Sequence, residues 1–108
     1  MTSNLFFAHK VTMLRSELID KLHDDNPHLN RGEMERVVAV VLESITQTLE
    51  KGARVELRGF GTFSTRKRDA RVGRNPRTGE PVQVPEKHVP FFRAGKELKL
   101  RVDASKDA

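Results

Sequence analysis

The chain contains no cysteine, no tryptophan and no tyrosine. Without cysteine it has neither a disulfide staple nor a thiolate metal site, which suits a reducing cytoplasm. No apolar run approaches the roughly 18 residues that span a bilayer, so no membrane partner is expected. His9, His23, His28 and His88 show no metal-ligand spacing such as H-E-x-x-H, and they read as surface or turn residues, with no metal expected. Asp24-Asp25 is an adjacent carboxylate pair with no His or second acidic cluster to work with, so it reads as a helix stop. There is no Ser/His/Asp set and no glycine-rich phosphate loop. Neither catalysis nor a cofactor nor a small-molecule substrate is expected.

What the chain does have is charge, unevenly placed. Its 108 residues include 32% charged and 36% hydrophobic side chains, with a net charge of +5. Between Arg66 and Arg101 eleven Lys and Arg face four acids, a surplus of seven, while residues 1–65 carry eight bases and nine acids. A solvated loop that only confers solubility does not account for such a contrast. The basic stretch is not helical in pattern, whereas a membrane-surface segment calls for a basic amphipathic helix. A polyanion is the expected partner, and nucleic acid the first candidate. Within the stretch, Asn75-Pro76 followed by Thr78-Gly79 is a turn signal, since Pro fixes φ and Gly accepts positive φ.

The length allows one domain whose burial as a monomer is modest, and oligomerisation is a common remedy. Residues 1–12 hold only Leu5-Phe6-Phe7-Ala8 as an apolar core, too short for a signal peptide, and read as a disordered leader before Met13. Leu14, Leu18 and Leu22, with Ile19, predict a short helix over Ser16–His23, stopped by Asp24-Asp25-Asn26-Pro27. Asn30 with Glu33 forms a capping-box signal. Apolar residues at 34, 37, 38, 41, 42, 45 and 49 then predict a long helix, closed by Gly52.

From Arg54 the period changes to two. Val55 and Leu57 alternate with Arg54, Glu56 and Arg58, the pattern of a half-buried strand. Gly59-Phe60-Gly61 reads as a tight reversal into a second strand beginning Thr62-Phe63-Ser64-Thr65. Pro81–Phe92 reads as a third strand interrupted by Pro85 and Pro90, prolines that belong on sheet edges or at bulges. Strands two and three pair across one long hairpin. Its residues 66–88 are nearly devoid of apolar side chains, which predicts a mobile arm that orders on its target. Ala94–Val102 is expected to form a last short helix, with Asp103–Ala108 frayed. The expected fold is α+β: two helices on a small antiparallel sheet, a basic β-hairpin arm and a C-terminal helix. Such a body exposes apolar surface unless a dimer buries it.

Gly59-Phe60-Gly61-Thr62-Phe63, Gly73-Arg74-Asn75-Pro76-Arg77-Thr78-Gly79, Val89-Pro90, Phe92 and Gly95-Lys96-Glu97-Leu98 resemble, in this order, the bacterial HU/integration host factor family of DNA-bending proteins. The resemblance runs from Met13 to Val102. Arg58 just before the Gly-Phe-Gly turn, Glu56 two residues earlier and the start Met13–Ile19 are most similar to the integration host factor beta subunit. Residues 1–12 have no counterpart in that pattern, Ala94 stands where beta subunits often carry Pro, and Phe91 stands where smaller or polar residues are common.

The resemblance implies an intertwined dimer, with itself or with a related alpha subunit, whose two arms wrap the minor groove of double-stranded DNA. It implies a role in the bacterial nucleoid, in recombination, transcription and replication control, and hence a cytoplasmic location. Pro76 matches the wedging proline, with Arg74 and Asn75 beside it reaching into the groove. Arg66, Arg68, Arg71, Arg77 and Lys87 follow phosphates, while Arg15, Ser16 and Lys96 clamp backbone outside the kinks. Glu56 orients Arg54 and Arg58 towards the duplex; without the resemblance the three read as a weak surface ion pair. Val41, Ile45, Leu49, Leu57, Phe60, Phe63 and Phe92 are assigned to the dimer core. A homodimeric, sequence-tolerant HU-like protein is the alternative, and an RNA-binding module a further one, separable by preference for bent or A·T-rich duplex over A-form RNA.

Overall fold

The computed structural model describes residues 12–105. In chain order these form α1 (Arg15–Asp25), α2 (Arg31–Glu50), β1 (Val55–Leu57), β2 (Gly61–Arg68), β3 (Arg71–Arg74), β4 (Pro81–Val84), β5 (Lys87–Ala94) and α3 (Lys96–Ser105). Among them, residues 12–44 with 104–105 make up one compact unit and residues 45–103 a second. The fold is α+β, as the change of period at Arg54 requires. The expected leader lies, but for Thr12, outside the described residues, as do residues 106–108 of the expected tail.

In the first unit α1 is longer than its periodicity predicts. It starts one residue earlier than Ser16, after Leu14, whose N–H donates to Glu17 Oε1 at 2.7 Å. It also takes in Asp24 and Asp25 as its last residues and breaks at Asn26-Pro27. Pro27 disfavours helix only at the residue before it, and Asn26 closes the end by donating its side-chain amide to the Leu22 carbonyl at 2.9 Å. The next helix opens with the predicted reciprocal cap. The Asn30 side-chain oxygen accepts the Glu33 N–H, and the Glu33 carboxylate accepts the Asn30 N–H, both at 2.8 Å. Arg31 ties the two helices, donating to Asp20 at 2.8 Å and to Glu35 at 2.9 Å. Its guanidinium is held above its ordinary pKa by the Asp20 hydrogen bond and charge.

Burial in this unit is sparse. Ile19, Met34 and Val38 are the buried hydrophobic side chains among the described residues, with Leu22 and Leu29 packed against them. Val37, Val41 and Leu42 stay exposed, although the helical stripe marks them as core, and Val40 beside the stripe is exposed too.

The second unit begins with the end of α2, stopped by Gly52 at φ +78°. There the Gly52 N–H reaches Leu49 O and the Ala53 N–H reaches Thr48 O. The sheet order is β1-β2-β5, all antiparallel, and a separate two-stranded sheet pairs β3 with β4. The third strand expected over Pro81–Phe92 is thus two strands, and the single hairpin ladder is two ladders. They part at Asp69-Ala70 and Pro85-Glu86, where Pro85 has no N–H to donate. Pro90 is accommodated because β5 is an edge strand.

Gly61 is the close-approach position of this sheet. A Cβ there would lie 2.5 Å from Phe92 Cζ and 2.6 Å from the Arg93 carbonyl oxygen. Ala94 belongs to β5, opposite Gly61, and not to the last helix. The Gly95 N–H donates to Phe60 O at 2.7 Å, pinning the strand-to-helix junction to the β1–β2 turn. The helix then runs from Lys96 to Ser105, so residues 103–105, expected to fray, are helical.

Candidate nucleic-acid interface

Strand alternation sorts the sheet into two chemically different faces. On one, Phe63 opposes Phe92 and Val55, while Leu57 and Ala94 flank Gly61. The Phe63 and Phe92 ring centroids are 4.7 Å apart, and Phe60 lies 5.5 Å from Phe92. Phe92 is 36% exposed, Phe60 46% and Leu57 41%, too exposed for a finished core. Ile45, Leu49 and Phe63 are half-buried. In the first unit Val41 is likewise exposed.

The opposite face is basic. Its cross-strand pairs are Thr62–Arg93, Ser64–Phe91, Arg66–Val89 and Arg68–Lys87, so four cations project to one side. The Arg66 guanidinium carbon sits 3.6 Å from the centroid of the Phe91 ring. One cation of β2, Lys67, falls on the aromatic side by parity, and its charge is answered by Glu86 at 3.1 Å and Asp69 at 3.7 Å. At the β1 edge Glu56 opposes Thr62 on the basic face and holds Arg54 at 2.5 Å. Arg54 and Arg58 flank β1 rather than belonging to it. Thus Arg54, Arg66, Arg68 and Lys87 are brought to one face together with Glu56.

The β3–β4 pair extends this unit as an arm. Its register is Arg71–Val84, Val72–Gln83, Gly73–Val82 and Arg74–Pro81, so Arg71 and Arg74 point to opposite sides. On the Arg71 side, Gly73 leaves an open trough of about 410 Å³ walled by Val82, Val84 and Pro76. These valines give the arm a narrow apolar strip, which a count of polar residues overlooks.

The tip is built by hydrogen bonds. The Asn75 N–H reaches Glu80 O at 2.9 Å and the Gly79 N–H returns to Asn75 O at 2.7 Å. The Asn75 side-chain oxygen accepts the Arg77 N–H at 2.8 Å, and Arg74 Nη1 donates to Gly79 O at 2.9 Å. Gly79 takes φ +77°, which an L side chain resists. Pro76 is thereby left exposed at the end of the arm, with Arg77 exposed beside it.

Arg15 and Ser16 open α1 in the first unit, both exposed, and Lys96 opens α3 in the second. The sequence reading missed Arg93 and Phe91 as members of the basic face. Strand alternation finds both, because each is an immediate neighbour of the core-facing Phe92 and so faces the other way. Among the described residues no cluster of His, Asp and Glu suits a metal ion, and no helix is long and apolar enough to cross a membrane.

The family model for bacterial DNA-binding protein matches residues 13–103. Among solved structures, HU from Anabaena crystallised with DNA is 37% identical, with a TM-score of 0.76 over 83% of this chain and 97% of that one. A point variant of HU from Thermotoga maritima is 29% identical, TM-score 0.60, covering 83% of this chain and 99% of its own. A mutant of transcription factor 1 is also 29% identical, TM-score 0.57, covering 85% and 92%. The chain therefore belongs to the bacterial DNA-binding protein family and is an architectural DNA-binding protein of the HU family.

Proposed function

We propose that this chain bends duplex DNA as an integration host factor beta-type subunit, in a dimer whose two arms follow the minor groove. The observation that carries the reading is the exposed Pro76 at a tip fixed by Asn75 and Gly79. A rigid, apolar ring without an N–H loses little entropy on insertion between base pairs. Unstacking a step costs on the order of a few kcal/mol, offset by the extra protein surface the bent duplex contacts.

In this reading Arg74 and Asn75 enter the groove beside Pro76. Arg66, Arg68, Arg71, Arg77 and Lys87 neutralise phosphates along the way, and Arg15, Ser16 and Lys96 clamp backbone beyond the kinks. The Arg54–Glu56 pair beside Arg58 supports the beta-type assignment, since a carboxylate that fixes one guanidinium gives the edge a defined donor pattern. The exposed Val41, Leu57, Phe60 and Phe92 support a second chain, with Ile45, Leu49 and Phe63 completing the core on dimerisation. The place of action is the nucleoid, in recombination, transcription and replication control. The similarity to HU favours a second reading, a homodimer with little sequence preference.

The test is end-to-end fluorescence transfer on an A·T-rich duplex of about 35 bp, with this chain alone, with a related alpha subunit and with Pro76→Ala. Bending by the chain alone, on any sequence, selects the homodimeric reading. Site-selective bending that requires the alpha subunit selects the beta-type one. Unchanged bending by Pro76→Ala rejects the wedge.

A further inference from the structure

Phe91 has no place in the apolar core. By parity it lies on the basic face, opposite Ser64 and away from Phe63 and Phe92. An aromatic side chain in the middle of a cationic strand pair needs a reason, and the geometry supplies one. Arg66, diagonal to it across β2–β5, places its guanidinium carbon 3.6 Å from the ring centroid. A cation over a ring face at that distance is attracted by the ring quadrupole.

The stack uses the face of the guanidinium and leaves its edge. All five N–H donors of arginine lie in the plane of the group, and among the described residues none of those of Arg66 is hydrogen-bonded to protein. Arg66 is exposed, and an unrestrained arginine there would sample many rotamers. Arg68 and Lys87 share its face, so mutual repulsion alone would spread these side chains apart.

We propose that Phe91 is a positioning residue: it holds the Arg66 guanidinium flat on the basic sheet face with its donor edge free for a DNA phosphate. The inference rests on the DNA-binding reading of this face. It adds that one phosphate contact is pre-ordered by an aromatic side chain rather than by a carboxylate, as Arg54 is by Glu56. A carboxylate would neutralise the charge it orients. A ring leaves it whole.

A double-mutant cycle on the full chain tests this, read by anisotropy of a fluorescein-labelled 35-bp A·T-rich duplex. Phe91→Leu is expected to weaken binding roughly two- to fivefold, the size of an exposed cation–π contact. Phe91→Tyr, which keeps the ring, restores it. In an Arg66→Gln background Phe91→Leu should change affinity no further, because coupled residues are not additive. The Arg66 side-chain resonances should shift on losing the ring current in Phe91→Leu, and should keep it in the wild type when the duplex is added. Thermal melts of each variant separate a folding defect, which would weaken binding equally in both backgrounds. Additive losses, tighter binding by Phe91→Leu, or a ring-current shift that vanishes on DNA addition overturns the proposal. A wild-type chain that binds no duplex overturns the DNA reading with it.

Discussion

Asn75 accepts the backbone N–H of Arg77 on its side-chain oxygen at 2.8 Å, so the residue before the tip proline is spent on building the turn. One lone pair of its oxygen is therefore occupied while the turn is closed, and both of its amide donors stay available to a base edge. This matches what the minor groove offers, since both A·T orientations present acceptors there.

Asn75→Ala should therefore loosen the tip as well as remove a groove contact. Losing the turn bond costs about 0.5–1.5 kcal/mol locally, which amide exchange at Arg77 and Gly79 would register as faster opening. Asn75→Asp keeps the acceptor and should restore that protection, yet bind duplex more weakly because a carboxylate repels phosphate. If Asn75→Asp exchanges as fast as Asn75→Ala, the turn is not held by this bond.

Gly61 and Phe92 make a second demand on a single residue. With only 2.5 Å between a Cβ at Gly61 and Phe92 Cζ, and 2.6 Å to the Arg93 carbonyl, neither ring nor backbone can yield freely. Gly61→Ala is expected to cost about 1–3 kcal/mol by overpacking. A urea melt of the two proteins checks this, and equal midpoints would show that the ring moves aside.

Much of this was legible in the sequence, and the failures have physical reasons. The Asn30–Glu33 cap, the Gly52 stop and the tip turn at Asn75–Gly79 were readable because each rests on local hydrogen bonds or φ preferences. The break at Asn26-Pro27 is readable from the proline, but the last turn reaches Asp25, two residues beyond the His23 that the leucine spacing indicates. The single hairpin became two ladders because the break at Asp69-Ala70 and Pro85-Glu86 depends on both strands at once. That Arg93 and Phe91 face away from Phe92 follows from alternation alone, whereas the meeting of Arg66 with the Phe91 ring depends on the register of two strands.

Val41 tests the dimer. It is 51% exposed, on a helix where Val37, Val40 and Leu42 are exposed too. A core of three buried side chains among the described residues is small for a stable monomer. Wild-type melting temperature should rise with protein concentration, as it does when folding and association are linked. Val41→Glu should shift the chain to unfolded monomer in light scattering and circular dichroism. Concentration-independent melting with a monomeric mass would reject the dimer.

The edge trio predicts selectivity. Glu56 fixes Arg54 and opposes Thr62 on the basic face, so Arg58→Ala should reduce preference for a specific site more than affinity for random duplex. Competition binding with both duplexes measures the ratio. An equal loss on both would leave the trio as a plain surface ion pair.

The sorting of charge between the two sheet faces gives the sharpest contrast. Arg93 lies on the basic face opposite Thr62, whereas Lys67 lies on the other and is paired with Glu86 and Asp69. Each phosphate neutralised contributes about 0.9 to the slope of log K against log salt. Arg93→Ala should therefore lower the slope by about that much, while Lys67→Ala leaves it unchanged although it removes the same formal charge. Net charge alone predicts equal effects, because a long-range field counts both residues alike. Titrations at several salt concentrations decide between them: matching slopes would mean that the faces are not distinguished by DNA, and unequal ones that phosphate meets the Arg93 side.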